Sequence, residues 1–305
     1  MTVSTTSLRV AFQGAPGAFS HRATQLFAEQ IGCRAQLEPV SCKSFDQIFD
    51  KVVSGEAEFA AVPLENSSVG SVVANYDLLW RSPVIIVSEV YLDVHHNLIT
   101  LEGTKLEDIR QIFSHPVALD QCLKLLASLP NAKPVSFWDT SGSAFHVKEM
   151  GDPTLAAIAS QYAAAETGLH MLKRNVEDHS GNRTRFGIIM GDLAAAGGAP
   201  MKQRALELVS QSDRYKLSCN VELAHEPGSL SRLLDALARC SANLTKIESR
   251  PIPETPWHYR FFLDMQISRD QDSCVATALR THCNSSKILG RYPIWVDDSS
   301  ALKSS

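Results

Sequence analysis

The sequence lacks the features of membrane-spanning, secreted and nucleic-acid-binding chains. No apolar stretch reaches the ~18–20 residues that a membrane helix needs. The first ten residues, MTVSTTSLRV, lack the basic and apolar pattern of a secretory signal. The formal net charge is −4 and no Lys/Arg-rich run is present, so the basic field used in nucleic-acid binding is missing. We therefore expect neither a nucleic acid nor a membrane as a partner.

The seven cysteines follow no known disulfide or metal pattern. Their number is odd and no two stand in CxxC spacing. We expect reduced thiols, and hence a cytoplasmic location, or a plastid if a transit peptide was removed. Residues His95 and His96 are adjacent, so on a strand they would face opposite sides, which argues against a metal pair.

The pattern of the first two-thirds is strand and helix in alternation. A chain of 305 residues predicts two domains at ~100–200 residues each. The alternation favours a parallel sheet with helices on its faces. Within it, we expect one strand to stop at Pro63, one helix to run from Pro116 through Leu126, and residues 84–100 to cross between two lobes.

The composition changes near residues 191–205, which are rich in Gly, Ala and Pro and predict a linker. The remaining sequence reads strand, helix, strand, strand, helix, strand. That order is typical of a ferredoxin-like α+β domain.

Three polar stretches are candidate sites in the first two-thirds. The turn GAPGAFS, residues 14–20, offers N–H groups to an anion or is a plain strand-to-helix turn. Glu65 to Ser68 follow a strand, at the end where α/β sheets bind ligands, although one serine there can cap the next helix. The hydroxyls of DTSGSAF, residues 139–145, open another helix, where one of them can cap and the rest can bind a carboxylate. His115, at a strand end, is either a helix cap or a site residue.

A fourth cluster, NRTRF, places Thr184 between Arg183 and Arg185 at the start of an apolar run. Threonine does not titrate near neutral pH, but its hydroxyl can donate to a departing oxygen. The arginines can clamp carboxylates. In a regular strand they share one face and Thr184 takes the other, so all three serve one ligand only if the strand is irregular.

The motifs VPLENS, SHP…QC, NRTRF, EPGSL and NLTKIESRP occur in this order from Phe12 to about Val296. Together they resemble the prephenate and arogenate dehydratases that carry a C-terminal ACT regulatory domain. The resemblance implies an α/β catalytic domain over 1–200, built of two lobes like the type II periplasmic binding proteins. The lobes would be about 1–90 with 180–195, and 95–178. It also implies a ferredoxin-like ACT domain over 213–298 that pairs in a homodimer or homotetramer.

The resemblance implies a carbon–oxygen lyase that needs no cofactor. Prephenate loses carbon dioxide and water to give phenylpyruvate in phenylalanine biosynthesis, and phenylalanine acts as allosteric ligand. Two alternatives stay open: arogenate as substrate, giving phenylalanine directly, and a degenerate phenylalanine sensor. The second is suggested by Val117, where the family usually has Gln, and by the altered 141–143 stretch.

Residue roles carried over from the family fall in three groups. The catalytic residues are Thr184, Glu65 and Asn66. The substrate-binding residues are Ser20, Ser67, His115, Thr140, Ser141, Gly142, Arg183, Arg185 and Phe186. The effector-binding residues are Gly228, Ser229, Leu230, Asn243, Leu244, Glu248, Ser249 and Arg250.

Overall fold

The computed structural model describes residues 7–192, 200–252 and 255–294. The chain divides into two compact units. The first contains residues 1–48, 60–72 and 91–186, and the second contains residues 49–59, 73–90 and 187–305. The lobe and domain boundaries expected from the sequence follow a different division, and they stay a prediction.

The elements up to residue 192 alternate strand and helix, as predicted. In chain order they are β1 (Leu8–Gln13), α1 (Phe19–Gln30), β2 (Leu37–Cys42), α2 (Phe45–Ser54), β3 (Phe59–Asn66), β4 (Gly70–Ser71), α3 (Val73–Arg81), β5 (Val84–Asp93), β6 (Asn97–Thr100), β7 (Gln111–Ser114), α4 (Pro116–Asp120), α5 (Leu123–Ser128), β8 (Lys133–Ser136), α6 (Thr140–Met150), β9 (Leu155–Ala159), α7 (Gln161–Thr167), β10 (His170–Lys173) and β11 (Arg183–Gly191).

The elements of residues 200–294 follow the predicted strand and helix order, with one further helix before them. They are α8 (Pro200–Gln211), β12 (Arg214–Glu222), α9 (Ser229–Arg239), β13 (Asn243–Pro251), β14 (Tyr259–Ser268), α10 (Asp272–His282) and β15 (Ser285–Pro293).

The sheets of the first unit are mixed, which corrects the expectation of a parallel sheet. One sheet has the order β10-β6-β9-β7-β8. In it β7 pairs parallel with β8 and β9, whereas β6 pairs antiparallel with β9 and β10. Elsewhere in the unit β1 pairs parallel with β2, and β3 pairs antiparallel with β4. Alternation in the sequence indicates the elements but carries no information on pairing direction, so the α/β class was confirmed and the parallel arrangement was not.

Helix α6 shows how local sequence fixes the first unit. Asp139 caps its start by accepting from the Gly142 N–H, and Gly151 ends it in the left-handed region at φ 62°. Its buried residues Ala144 and Val147 pack with Phe113 of β7 in an apolar cluster. The short strand β9 lies between β6 and β7 in the sheet and is buried at every residue, as a central strand covered on both faces should be.

The second unit contains an antiparallel sheet of order β13-β14-β12-β15 with α9 and α10 packed against it. Strand β15 also meets β5 through one parallel pair, Gly290 with Ile86. A Cβ on Gly290 would lie 2.2 Å from the Ile86 carbonyl oxygen, so only glycine allows this approach. The core residues Leu217, Leu237 and Leu279 come from the sheet and both helices.

Three local expectations were wrong. Strand β3 continues past Pro63 to Asn66, because a proline costs a strand one donor without ending it. The helix expected from Pro116 to Leu126 is broken into α4 and α5, and Asp178 accepts from the first N–H groups of α5. The expected linker at 191–205 is helical from Pro200, while residues 193–199 lie outside the described residues.

The expectation of reduced thiols throughout was also wrong. Cys240, at the end of α9, and Cys274, in α10, form a disulfide with Cα atoms 5.7 Å apart. Their 34-residue separation gives no sequence signal, because the neighbouring helices bring them together only in the folded sheet-and-helix unit. The other five cysteines are free thiols.

No helix in the described ranges is long and apolar enough to cross a membrane.

Candidate active site

A cavity of about 380 Å³ lies within the first unit. The end of β3 and the starts of β11, α1, α4 and α6 contribute to its wall. Of the substrate-site residues expected from the sequence, six line it: Ser20, Asn66, His115, Thr140, Thr184 and Phe186.

Thr184 lies on the cavity side of a regular strand. Asn182, Thr184 and Phe186 all line the cavity, as expected for alternate residues of one strand face. Thr184 is 9% exposed, and its Oγ1 accepts a hydrogen bond from Asn66 Nδ2 at 2.9 Å. The side chain is therefore at the cavity wall and held by a named partner.

The amide of Asn66 has a fixed orientation. Its Oδ1 accepts from the backbone N–H groups of Ser68 at 2.9 Å and Val69 at 3.1 Å. A backbone N–H can only donate, so the other end of the amide must be the NH₂ group. That group donates to Thr184 Oγ1 and, at 2.6 Å, to Asn182 Oδ1.

The hydroxyl of Thr184 is consequently an acceptor toward Asn66. Its own proton is left for another partner, and a hydroxyl that accepts a hydrogen bond becomes a stronger donor. This arrangement suits donation to an oxygen that gains negative charge.

The two arginines do not join Thr184 at this cavity, and the expectation that they clamp a ligand stays a prediction. Neither Arg183 nor Arg185 lines the cavity in the described part of the chain. Arg183 Nε lies 3.3 Å from Asp93 Oδ1, and Arg185 Nη1 lies 3.8 Å from Glu65 Oε2. All three residues lie in the uninterrupted strand β11, where alternate side chains point to opposite faces, which accounts for the separation of the arginines from Thr184.

Four further expected residues also lie behind the wall rather than on it. Glu65 pairs with Arg185. Ser67 Oγ donates to the Gly181 carbonyl at 3.1 Å and accepts from the Arg183 N–H at 2.8 Å. Ser141 donates to the Pro16 carbonyl, and a Cβ on Gly142 would lie 2.6 Å from the Trp138 ring. These residues hold the wall in shape.

The turn at residues 14–17 is a plain strand-to-helix turn. The N–H groups of Gly14, Ala15 and Gly17 already donate to Cys42 O, Asp139 Oδ2 and His21 Nδ1, at 3.0, 2.9 and 2.9 Å. They are therefore not available to an anion. The helix that follows, α1, begins at Phe19, and both Phe19 and Ser20 line the cavity.

His115 fulfils both of its expected alternatives. Its Nδ1 accepts from the Val117 N–H at 3.3 Å and so caps α4, and its side chain also lines the cavity. The two adjacent histidines differ sharply: exposed His95 contacts Glu177, while His96 is 3% exposed and lines the cavity. Burial lowers the pKa of His96, although Gln121 and Glu177 oppose this, so His96 is neutral at neutral pH.

Sequence reasoning missed several wall residues. Gln121 and Asn182 stood inside the motifs SHP…QC and NRTRF, so the motif letters themselves were the available signal. The apolar wall has no such signal, because its members come from separate elements: Phe19, Phe45, Val69, Val72, Val94 and Trp138.

The wall carries little charge. Asp139 is its one carboxylate, and no lysine or arginine lines it within the described residues. The starts of α1 and α6 supply partial positive charge from their first N–H groups. No group of three or more His, Cys, Asp or Glu side chains that could hold a metal occurs among the described residues.

The expected effector residues occupy two separate places in the second unit. Arg250 pairs with Arg260 of β14, and Arg260 pairs with Glu222, the last residue of β12. Residues 248–250 therefore lie at the same end of the sheet as Glu222, where the loop to Gly228 begins. Ser229 and Leu230 follow in α9. Asn243 and Leu244 begin β13, about 20 Å from Arg250 at ~3.3 Å per residue.

Two of these effector residues have ionic partners. Arg250 Nη2 lies 3.0 Å from Asp77 Oδ2, and Glu248 Oε2 lies 3.7 Å from Lys246 Nζ. The chain by itself therefore does not gather all eight residues into one site.

The chain matches the family described as prephenate dehydratase over residues 10–192. Arogenate dehydratase/prephenate dehydratase 1, chloroplastic, of Arabidopsis thaliana is 35% identical over 305 residues, covering 94% of this chain and 72% of the relative. A solved prephenate dehydratase in complex with L-Phe, from Arthrobacter aurescens, has a TM-score of 0.79 at 28% identity and covers 94% of this chain and 90% of its own. A second, GqqA, described as a novel type of quorum quenching acylase, has a TM-score of 0.78 at 31% identity and covers 94% and 98%.

Proposed function

Because the chain belongs to the prephenate dehydratase family, we propose that it is a lyase that converts prephenate to phenylpyruvate, carbon dioxide and water. The observation that carries this proposal is the hydrogen bond from Asn66 to Thr184 at the cavity wall. It leaves a non-titrating hydroxyl as donor in a cavity whose other walls are largely apolar.

The reaction needs help for a poor leaving group. The bond from the ring to its carboxylate breaks, and its electron pair becomes a ring double bond as carbon dioxide departs. The ring carbon–oxygen bond breaks as its electron pair leaves with the hydroxyl, which becomes water by taking up a proton from the solvent. Thr184 stabilises the charge that develops on this oxygen, an interaction that is stronger in the transition state than in the bound substrate.

The proposed substrate carboxylates are bound by helix starts rather than by arginines. Ser20 is near the start of α1 and Thr140 is the first residue of α6, and both line the cavity. The first N–H groups of these helix ends and the Thr140 hydroxyl are suited to carboxylate oxygens, whereas the Ser20 hydroxyl already donates to the Gln13 carbonyl. The ring would lie between apolar residues such as Phe19 and Val94, which exclude water and so favour loss of a charged carboxylate as neutral carbon dioxide.

Arogenate is the second candidate substrate, and the charge of the wall favours it. Arogenate carries an ammonium group where prephenate has a keto group. A wall with the carboxylate of Asp139 and without lysine or arginine among its described residues suits the less anionic of the two. The product would then be phenylalanine.

For the second unit, we propose an ACT domain that binds phenylalanine and pairs with another copy of the chain in a homodimer or homotetramer. The strand and helix order of residues 214–293 supports the assignment. The separation of Asn243 and Leu244 from Gly228 supports a site completed by a second subunit. For the first unit, we propose the two-lobe arrangement that the sequence resemblance implies.

The experiment is a product assay with each substrate separately, reading phenylpyruvate by absorbance and phenylalanine by chromatography. We expect one substrate to be turned over with the larger kcat/KM, and phenylalanine to change that value. Turnover of neither, in a folded sample that still binds phenylalanine, would leave the sensor hypothesis standing and refute the lyase.

A further inference from the structure

The hydrogen bond between Asn66 and Thr184 is the last bond of a longer hydrogen-bond network of side chains. Asn182, whose Oδ1 accepts from Asn66, donates from Nδ2 to Gln121 Oε1 at 3.2 Å. The same Gln121 oxygen contacts His96 Nε2 at 2.9 Å. All five members, His96, Gln121, Asn182, Asn66 and Thr184, line the cavity.

The donor and the acceptor of every hydrogen bond in this network are determined. The backbone N–H groups of Ser68 and Val69 fix Asn66 Oδ1 as the acceptor. Asn66 then presents its NH₂ group, so the atom of Asn182 that faces it must be the oxygen. The NH₂ group of Asn182 in turn requires an oxygen from Gln121, because two donors cannot face each other.

The hydrogen-bond network also determines the tautomer of His96. Gln121 presents its oxygen, so His96 Nε2 must carry the proton. Nδ1 is then the unprotonated nitrogen, and it has no hydrogen-bond partner among the described residues. The backbone holds the ring in place, because the His96 N–H donates to Glu177 Oε2 at 2.9 Å and its carbonyl accepts from the Val176 N–H at 2.8 Å.

Gln121 is fixed by backbone contacts of its own. It is the residue that ends α4, and its carbonyl accepts from the Asp178 N–H at 2.7 Å. Asp178 also caps the start of α5. The break between the two helices, which the sequence did not predict, therefore places the Gln121 side chain between His96 and Asn182.

We propose that Gln121 and His96 are positioning residues for Thr184, which they reach through Asn182 and Asn66. Asn66 has two amide protons, and the one given to Asn182 sets the direction of the one given to Thr184. With Gln121 in place, Asn182 presents only its oxygen to Asn66. Without Gln121, Asn182 can turn its NH₂ group toward Asn66 and displace it from Thr184.

The inference rests on the proposed lyase reaction for its kinetic test, which uses Gln121. Gln121→Met removes the acceptor at nearly constant size. We expect kcat to fall about tenfold or more, with KM within about threefold, since misplacement of a catalytic group acts on the reacting step. Gln121→Glu keeps an oxygen acceptor for both partners. It should lower kcat far less than the Met variant and raise KM, because a carboxylate repels the substrate carboxylates.

A double-mutant cycle decides whether the effect passes through Thr184. In a Thr184→Val background, Gln121→Met should lower kcat no further, because the group being positioned is gone. Equal fold-losses of kcat in both backgrounds would overturn the proposal. So would equal losses from the Met and Glu variants, which would indicate a packing role only.

His96 has a matched control in its neighbour. His96→Leu removes the donor to Gln121 and should lower kcat several-fold, while His96→Gln, which retains an amide N–H, should restore most of the loss. His95 is exposed and is not a member of the hydrogen-bond network, so His95→Leu should keep a kcat near the wild-type value. A fall in kcat for His95→Leu as large as that for His96→Leu would contradict the assignment.

The tautomer gives a test that does not depend on activity. Long-range ¹⁵N–¹H spectra of the folded protein should show His96 as the Nε2–H form. A Nδ1–H form would overturn the proposed direction of the hydrogen bonds even in an active enzyme. Failure of the wild type to act on either substrate would refute the proposed function and leave this result standing.

Discussion

The two sets of site residues expected from the sequence have different fates in the structure. In the first unit, Thr184 and Asn66 meet at a cavity and bond to each other. In the second unit, Asn243 and Arg250 lie toward opposite ends of strand β13. The family match covers the first region, residues 10–192, whereas the effector role of the second region stays a proposal. The predictions below test that difference, from the largest expected effect to the smallest.

Thr184→Val should reduce kcat by at least ~10²-fold, the loss that follows removal of one oriented donor. Thr184→Ser keeps the hydroxyl and the acceptor for Asn66, and it should retain most of the activity. Steady-state kinetics on the preferred substrate give both values, with circular dichroism as the check on folding. Equal activity of the Val and Ser variants would show that the hydroxyl has no role.

Reduction of the disulfide should act only on the second unit. The Cys240–Cys274 bond closes a loop of 34 residues, for which chain entropy gives about 3–4 kcal/mol of stabilisation. Thermal unfolding with and without a reductant should show a lower transition for the second unit and an unchanged one for the first. The double variant Cys240→Ser, Cys274→Ser should reproduce the reduced protein and no longer respond to the reductant.

Removal of the proposed carboxylate-binding hydroxyl should affect binding more than turnover. Thr140→Val should raise KM about tenfold, since a hydrogen bond to a charged group contributes ~1.5–3 kcal/mol. Ser67→Ala, whose side chain bonds to backbone groups behind the wall, is the matched control and should change KM less. A larger change in KM for Ser67→Ala than for Thr140→Val would indicate that the substrate is bound elsewhere.

Gly228→Ala should weaken phenylalanine binding by a few-fold to about tenfold. Gly228 has φ +83°, where a side chain costs ~1–2 kcal/mol, and its Cβ would lie 3.1 Å from Arg232 Nη1. Titration calorimetry with phenylalanine measures the change. Gly70→Ala has the same positive φ and no neighbour within 4 Å, so it serves as the control for strain alone.

The sequence predicted the elements of the fold better than their pairing. Strand and helix positions follow from residue periodicity, which is local, and both helix α6 and the strand and helix order of residues 214–293 were found. Pairing direction, the Cys240–Cys274 bond and the capping of α5 by Asp178 depend on residues far apart in the chain. No spacing pattern in the sequence predicts these three features.

The candidate site divides in the same way. Thr184 and Asn66 were identified through their motifs, and the strand pleat correctly separated Thr184 from its flanking arginines. The expectation that these arginines nevertheless clamp a ligand stays a prediction, because neither of them lines this cavity in the described part of the chain. His96 was considered only in the argument against a metal pair, since its contact with Gln121 exists only after folding.

The most direct test of the account reverses the hydrogen bond between Asn66 and Thr184. In Asn66→Asp, one carboxylate oxygen still accepts from the N–H groups of Ser68 and Val69, and the other accepts the Thr184 proton. We predict a kcat at least ~10²-fold below wild type at pH 8. It should rise as the pH falls, because the protonated carboxyl donates again, while wild-type kcat shows no such rise. Wild-type kcat in Asn66→Asp at pH 8 would contradict the central claim that Thr184 works as a donor oriented by Asn66.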